Sequence, residues 1–116
     1  MFARTTLFEI DTLRTSTEAV LDRFCETVMP QLREQPGCQG VMVLETPEGR
    51  GLLITMWRSV EAMTAGIETG LYDEQVRSMV TFLRQPPGRE HYEVSFFELS
   101  DEIVTGRAVR AGVDSA

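Results

Sequence analysis

The chain contains no lysine, one histidine, one tryptophan and two cysteines in 116 residues. All 11 basic residues are arginine, which excludes Schiff-base chemistry and a lysine general base. It also reads as the codon bias of a GC-rich, bacterial genome. A lone His91 cannot build a multi-histidine metal centre within one subunit. Cys25 and Cys38 form no Cys-x-x-Cys pair, so neither a disulfide framework nor a zinc site is expected, and both thiols are expected reduced. No apolar run approaches the roughly 20 residues that span a bilayer. The N-terminus runs into an alternating strand without a basic-then-apolar leader, which predicts a cytoplasmic location. A net charge of −7 and scattered arginines argue against a nucleic-acid surface. The chain has no glycine-rich nucleotide motif, and no cofactor is expected.

What is present describes one soluble domain. Hydrophobic residues at 42% and charged residues at 25% are ordinary values for a globular chain with a real core. From Phe2 to Ile10 the pattern alternates, with Phe2, Arg4, Thr6, Phe8 and Ile10 on one face and Ala3, Thr5 and Leu7 on the other. Thr15 and Glu18 have capping-box spacing, so a helix begins near Ser16. Its apolar stripe is Val20, Leu21, Phe24, Val28 and Leu32. Pro30 kinks this helix or cuts off its last turn, and Gln35-Pro36-Gly37 stops it. Strands follow over 41–46 and 52–58, joined by a hairpin through Gly49 and Gly51. Ser59 caps a helix carrying Val60, Met63 and Ile67, which pauses at Gly70 and resumes through Val76, Met79 and Leu83. After Gln85-Pro86-Pro87-Gly88 a fourth strand is expected over 90–99. Residues 100–116 are a loose tail, or an arm that orders against another subunit.

The order strand, helix, strand, strand, helix, strand predicts an α+β, ferredoxin-like βαββαβ domain over residues 1–99. Its four-stranded antiparallel sheet carries both helices on one side. Strands one and three are apolar or half-apolar on both sides, and a monomer would expose a broad apolar face. That predicts a two-fold homodimer.

Two stretches add a family resemblance over about residues 2 to 99. Pro30-Gln31-Leu32 with Gln35-Pro36-Gly37-Cys38-Gln39-Gly40, and Trp57-Arg58-Ser59-Val60-Glu61-Ala62-Met63, resemble the antibiotic biosynthesis monooxygenase-like domain of the dimeric α+β barrel superfamily. The resemblance implies a dimeric barrel with a pocket beside Trp57. It also implies cofactor-free, quinone-forming monooxygenation, or haem degradation. The haem-degrading members carry an asparagine on strand one, where this chain has Thr5, and a histidine on the second helix, where it has Ala65-Gly66-Ile67-Glu68. The resemblance to that branch therefore lacks an iron ligand. Cofactor-free members share Trp57 and an aromatic hydroxyl such as Tyr72. An asparagine that precedes the tryptophan in some of them is missing, and the amides here are Gln31, Gln35, Gln39, Gln75 and Gln85.

The expected cavity lies between sheet and helices, bounded by Thr5, Leu7, Phe24, Val28, Thr55, Trp57, Met63, Ile67 and Tyr72. Ligand contacts are expected from Trp57, Thr5, Thr55, Phe24, Met63 and Ile67. Each also has a plainer reading, in which the indole closes the core and the threonine hydroxyls bond their own backbone. His91 and Tyr72 are the candidate proton acceptors. The place of His91 after Pro-Pro-Gly favours a plain exposed strand-end residue, and the Tyr72 phenol points into the cavity or lies on the surface. Arg4 and Arg58 read as surface arginines or as partners for a carboxylate. One function expected is cofactor-independent monooxygenation of a small quinol- or polyphenol-like aromatic by molecular oxygen. The other is a non-catalytic ligand-binding or assembly dimer of the same fold.

Overall fold

The computed structural model describes residues 1–103 and Gly106. Its elements are β1 (Phe2–Glu9), α1 (Thr17–Thr27), α2 (Met29–Glu34), β2 (Cys38–Glu45), β3 (Arg50–Trp57), α3 (Val60–Glu68), α4 (Leu71–Met79), a 3-10 turn (Val80–Phe82) and β4 (Gly88–Glu93). The strands lie in the order β2-β3-β1-β4, every neighbouring pair antiparallel. This is the ferredoxin-like α+β arrangement that the element order predicts.

Local chemistry explains the boundaries. Ser16, one residue after the expected cap Thr15, accepts a hydrogen bond from the Ala19 amide at 3.0 Å and starts α1. Ser59 does the same for α3 through the Ala62 amide at 3.1 Å. Pro30 sits in the first turn of α2 and has no N–H to donate, so the chain turns at Val28 and begins a separate short helix. At Gly70, φ is 85°, a left-handed backbone that L-residues resist. It separates α3 from α4.

The fourth strand is shorter than the 90–99 run that its composition suggests. Glu93 pairs with Phe2, and the Val94 amide donates to the Met1 carbonyl at 2.9 Å. The pairing with β1 stops there, and Phe96, Phe97 and Leu99 stand exposed. Most of the tail or arm expected over 100–116 lies outside the described residues.

Antiparallel partners share a face, so the register fixes which side chains meet the helices. Trp57 lies opposite Phe2, Thr55 opposite Arg4, and Leu53 opposite Thr6. Val41 and Val43 join them from β2, and His91 and Arg89 from β4. This face supports the core of Phe24, Val28, Leu32, Trp57 and Met63. The Phe8 ring occupies the space beside Gly51, where any Cβ would collide with it.

The opposite face carries Ala3, Thr5 and Leu7 with Leu52, Ile54 and Met56. Met42 and Leu44 extend it through β2. Leu7, Met42, Leu44 and Tyr92 are exposed there. Among the described residues no helix is long and apolar enough to cross a membrane, and no group of histidine, cysteine and acidic side chains is arranged for a metal.

Candidate functional site

Between the sheet and helices α1, α2 and α4 lies a cavity of about 90 Å³ with predominantly apolar walls. Phe8, Phe24, Val28, Val43, Leu53 and Met79 supply much of the lining. The polar exceptions are Arg4, Thr6, Thr55, Tyr72, Gln75 and Glu45. Thr6 and Tyr72 are bonded hydroxyl to hydroxyl at 3.1 Å, and either can donate. The Gln75 amide donates to the Gln35 side-chain oxygen at 3.5 Å. Alternation along β1 puts Arg4 and Thr6 here, and Gly70 starts α4 where Tyr72 and Gln75 point inward.

The buried charge in this site belongs to Arg4, which is only 3% exposed; Glu45, the other charged residue of the lining, is half-buried. The Arg4 guanidinium donates to the Met63 carbonyl at 3.1 Å. It stands 4.5 Å from the centroid of the Tyr72 ring and 5.3 Å from that of Trp57. Ring quadrupoles attract a cation at this range. Arg89 approaches the same Tyr72 ring at 5.1 Å. Burial holds the Arg4 pKa below its ordinary value; Tyr72 opposes that shift and the neighbouring charge of Arg89 reinforces it.

The structure redistributes the residues singled out from sequence. Phe24, Thr55 and Tyr72 do line the cavity. Trp57 does not. It is 0% exposed, packs in the core with Phe24, Leu32 and Met63, and donates its indole N–H to Thr55 Oγ1 at 2.9 Å. The plainer reading of the indole therefore holds, and its part in the site is to flank Arg4 from behind. Met63 is a core residue whose backbone carbonyl, rather than its thioether, reaches the site. Ile67 is half-buried on α3, outside the lining.

Thr5 and Leu7 are corrections. Thr5 pairs with Ile54 and Leu7 with Leu52, which places both on the face away from the cavity. The Thr5 hydroxyl donates to the Glu90 carbonyl at 3.4 Å. The members of β1 that face inward are the even-numbered ones, so Thr6 holds the position expected of Thr5. His91 lies directly across from Arg4 on β4, but it is exposed and outside the cavity lining. Slight burial, then the charges of Arg89 and Arg4, hold its pKa below the usual imidazole value. Sequence reasoning missed Thr6 and Gln75, and ranked Arg4 as a surface residue. The signal for Arg4 was its place on the same face as Phe2 and Phe8.

A four-stranded antiparallel sheet with a cavity beneath its helices, largely apolar and bearing the buried Arg4, defines the class, an α+β ferredoxin-like fold. A sequence profile described as Antibiotic biosynthesis monooxygenase matches residues 4–66, more than half of the chain, and the chain belongs to that family. Its fold is similar to the monooxygenase from the gene ActVA-Orf6 of Streptomyces coelicolor, solved with nanaomycin D (16% identity, TM-score 0.68, 85% of this chain and 91% of that one). It is also similar to SnoaB, a cofactor-independent oxygenase from Streptomyces nogalater (10% identity, TM-score 0.67, 83% and 94%). A third likeness is to Rv0793 from Mycobacterium tuberculosis (18% identity, TM-score 0.62, 85% and 98%). At these identities the likeness is one of fold. Among curated protein sequences none matches the chain.

Proposed function

We propose that the protein is a cofactor-independent monooxygenase acting on a small hydroxylated aromatic. The observation that carries this reading is the cavity itself, an apolar space under the helices with a bonded hydroxyl pair, Thr6 and Tyr72, in its wall. Family membership and the fold likeness to SnoaB, a cofactor-independent oxygenase, support it.

The chemistry balances without an external reductant. A phenol and one dioxygen give a quinone and one water. One oxygen atom enters the ring and the other leaves as water, and the substrate supplies every electron. The ring hydroxyl loses its proton, and the anion passes an electron to oxygen. The radical pair then joins at a ring carbon, and the resulting peroxide loses water as that carbon loses its hydrogen. For this the protein has to exclude water and hold the ring. The hydrocarbon walls do the first, and the Thr6–Tyr72 pair, by hydrogen-bonding a ring oxygen, does the second. His91, exposed beyond the cavity walls, is the less suited of the two expected proton acceptors. Oxygen uptake with a panel of one-ring dihydroxyaromatics tests the reading. Uptake that falls at least about tenfold in Tyr72→Phe is the expected result, and no uptake with any member overturns it.

A second reading has its own support. No cavity-lining side chain among the described residues is a histidine, so none of them ordinarily titrates near neutrality. That fits a binding domain that turns nothing over. Thermal stabilisation by the same aromatics without oxygen uptake identifies it.

Both readings include a homodimer. The exposed Leu7, Met42, Leu44 and Tyr92 form one side of the sheet, and a second copy covers them. Light scattering at micromolar concentration should give twice the chain mass, and a monomeric mass removes the dimer from either reading.

A further inference from the structure

Among the described residues Arg4 has no opposite charge beside it: Glu45, the carboxylate in the cavity wall, sits level with Gly51 and Phe8, four residues along β1 from Arg4. Arg4 is almost fully buried, and no carboxylate among the described residues lies within ion-pair distance of it. The ion pair found there is Arg84 with Glu9, at 3.6 Å and largely exposed. The chain has 18 acidic residues, yet what surrounds this guanidinium is the Met63 carbonyl and two aromatic rings. A second cation, Arg89, stands on the same Tyr72 ring, and its charge acts on Arg4.

Desolvating an unpaired guanidinium is costly, and a carbonyl with two ring faces offsets only part of that cost. In apolar surroundings the attraction of the remaining field for an anion is correspondingly larger than in water. The fork of a guanidinium also matches the two oxygens of a carboxylate. A cavity of about 90 Å³ suits a single substituted ring. The apolar walls suit that ring, and the cation suits one charged substituent.

We infer that the missing counter-ion arrives with the ligand: the cavity selects a one-ring aromatic bearing an anionic oxygen group, a carboxylate or an ionised phenol, seated on Arg4. This rests on the cavity being the ligand site, as proposed above, and not on turnover. Arg4 then sets specificity for charge, while the Thr6–Tyr72 pair sets the orientation of the ring.

Benzoate and benzamide, near-isosteres that differ in charge, test this by calorimetric titration of the full chain. Wild-type protein should bind benzoate at least about tenfold more tightly than benzamide, as expected for a desolvated charged hydrogen bond. In Arg4→Met, which keeps the apolar stem, the two ligands should bind within about twofold of each other. Titration with 4-nitrophenol above and below its own ionisation separates the two anion sources. A preference for the ionised form admits phenolates, and its absence restricts the site to carboxylates. Equal affinity of the wild type for benzoate and benzamide overturns the inference, as does failure to bind benzoate. That comparison needs no variant, so it stands even if Arg4→Met fails to fold. Charge selection without oxygen uptake leaves this inference standing and removes the oxygenase. Uptake by neutral phenols with no charge preference does the reverse.

Discussion

The two faces of the sheet each depart from the usual arrangement. An antiparallel sheet covered on one side ordinarily buries hydrocarbon and exposes polar groups. Here the covered face holds a guanidinium and two hydroxyls in Arg4, Thr6 and Thr55, and α4 lays a third hydroxyl and an amide, Tyr72 and Gln75, over it. The other face shows solvent Leu7 at 52% and Leu44 at 46% exposure. Polar groups placed under helices cost stability unless bonded, and among the described residues every buried side-chain nitrogen or oxygen has a partner. Hydrocarbon left in water is a liability that a second subunit removes. In the function proposed above, the inner face serves a ligand and the outer face another copy of the chain.

Five substitutions test that contrast, in decreasing order of effect. Trp57→Ala empties the largest fully buried side chain and leaves Arg4 without one of its rings. It should cost about 3–5 kcal/mol, read from the midpoint of urea unfolding. Leu44→Asp, on the outer face, should raise the dimer dissociation constant about a hundredfold, roughly 3 kcal/mol, by sedimentation, and leave ligand affinity unchanged. If it alters the cavity instead, the division of labour between the faces is wrong.

Adjacent threonines give the sharpest comparison. Thr6→Val removes the partner of the Tyr72 hydroxyl and should cost about 1–2 kcal/mol by thermal unfolding. Thr5→Val loses one long bond to an edge carbonyl and should stay within about 0.5 kcal/mol. His91→Gln is the smallest. Because the folded protein holds this imidazole below its usual pKa, the unfolded chain takes up the proton first as pH falls. Wild type should therefore lose a little stability, beginning near the ordinary histidine value of about 6.5. The variant should show no such loss in paired urea midpoints at neutral and acid pH.

Much of the architecture was legible because the signals are local. The hydroxyl of Ser59, the missing N–H of Pro30 and the left-handed backbone at Gly70 act within a few residues of themselves. Pairing between strands is not local, and there the reading slipped. β1 and β3 are apolar on both sides, so neither sequence says which parity of one matches which parity of the other. A one-residue error moves every side chain to the opposite face. That is how Thr5 came to stand for Thr6. β4 was overextended because Val94, Phe96 and Phe97 favour a strand, while the ladder ends where β1 ends. Arg4 was undervalued because arginine is rarely buried without an acid. Only the geometry of Tyr72, Trp57 and the Met63 carbonyl around it gives that burial a reason.

The bond from the Trp57 indole to Thr55, in a core closed to water, has a consequence for observation. The chain's one indole emits from a dry, fixed site 5.3 Å from the guanidinium. Its spectrum should sit toward the blue, with almost no access for quenchers in solution. An indole's excited state has a large dipole, so an anion arriving at Arg4 would change the local field and shift the emission. The protein would then report its own occupancy by colour, with no label attached.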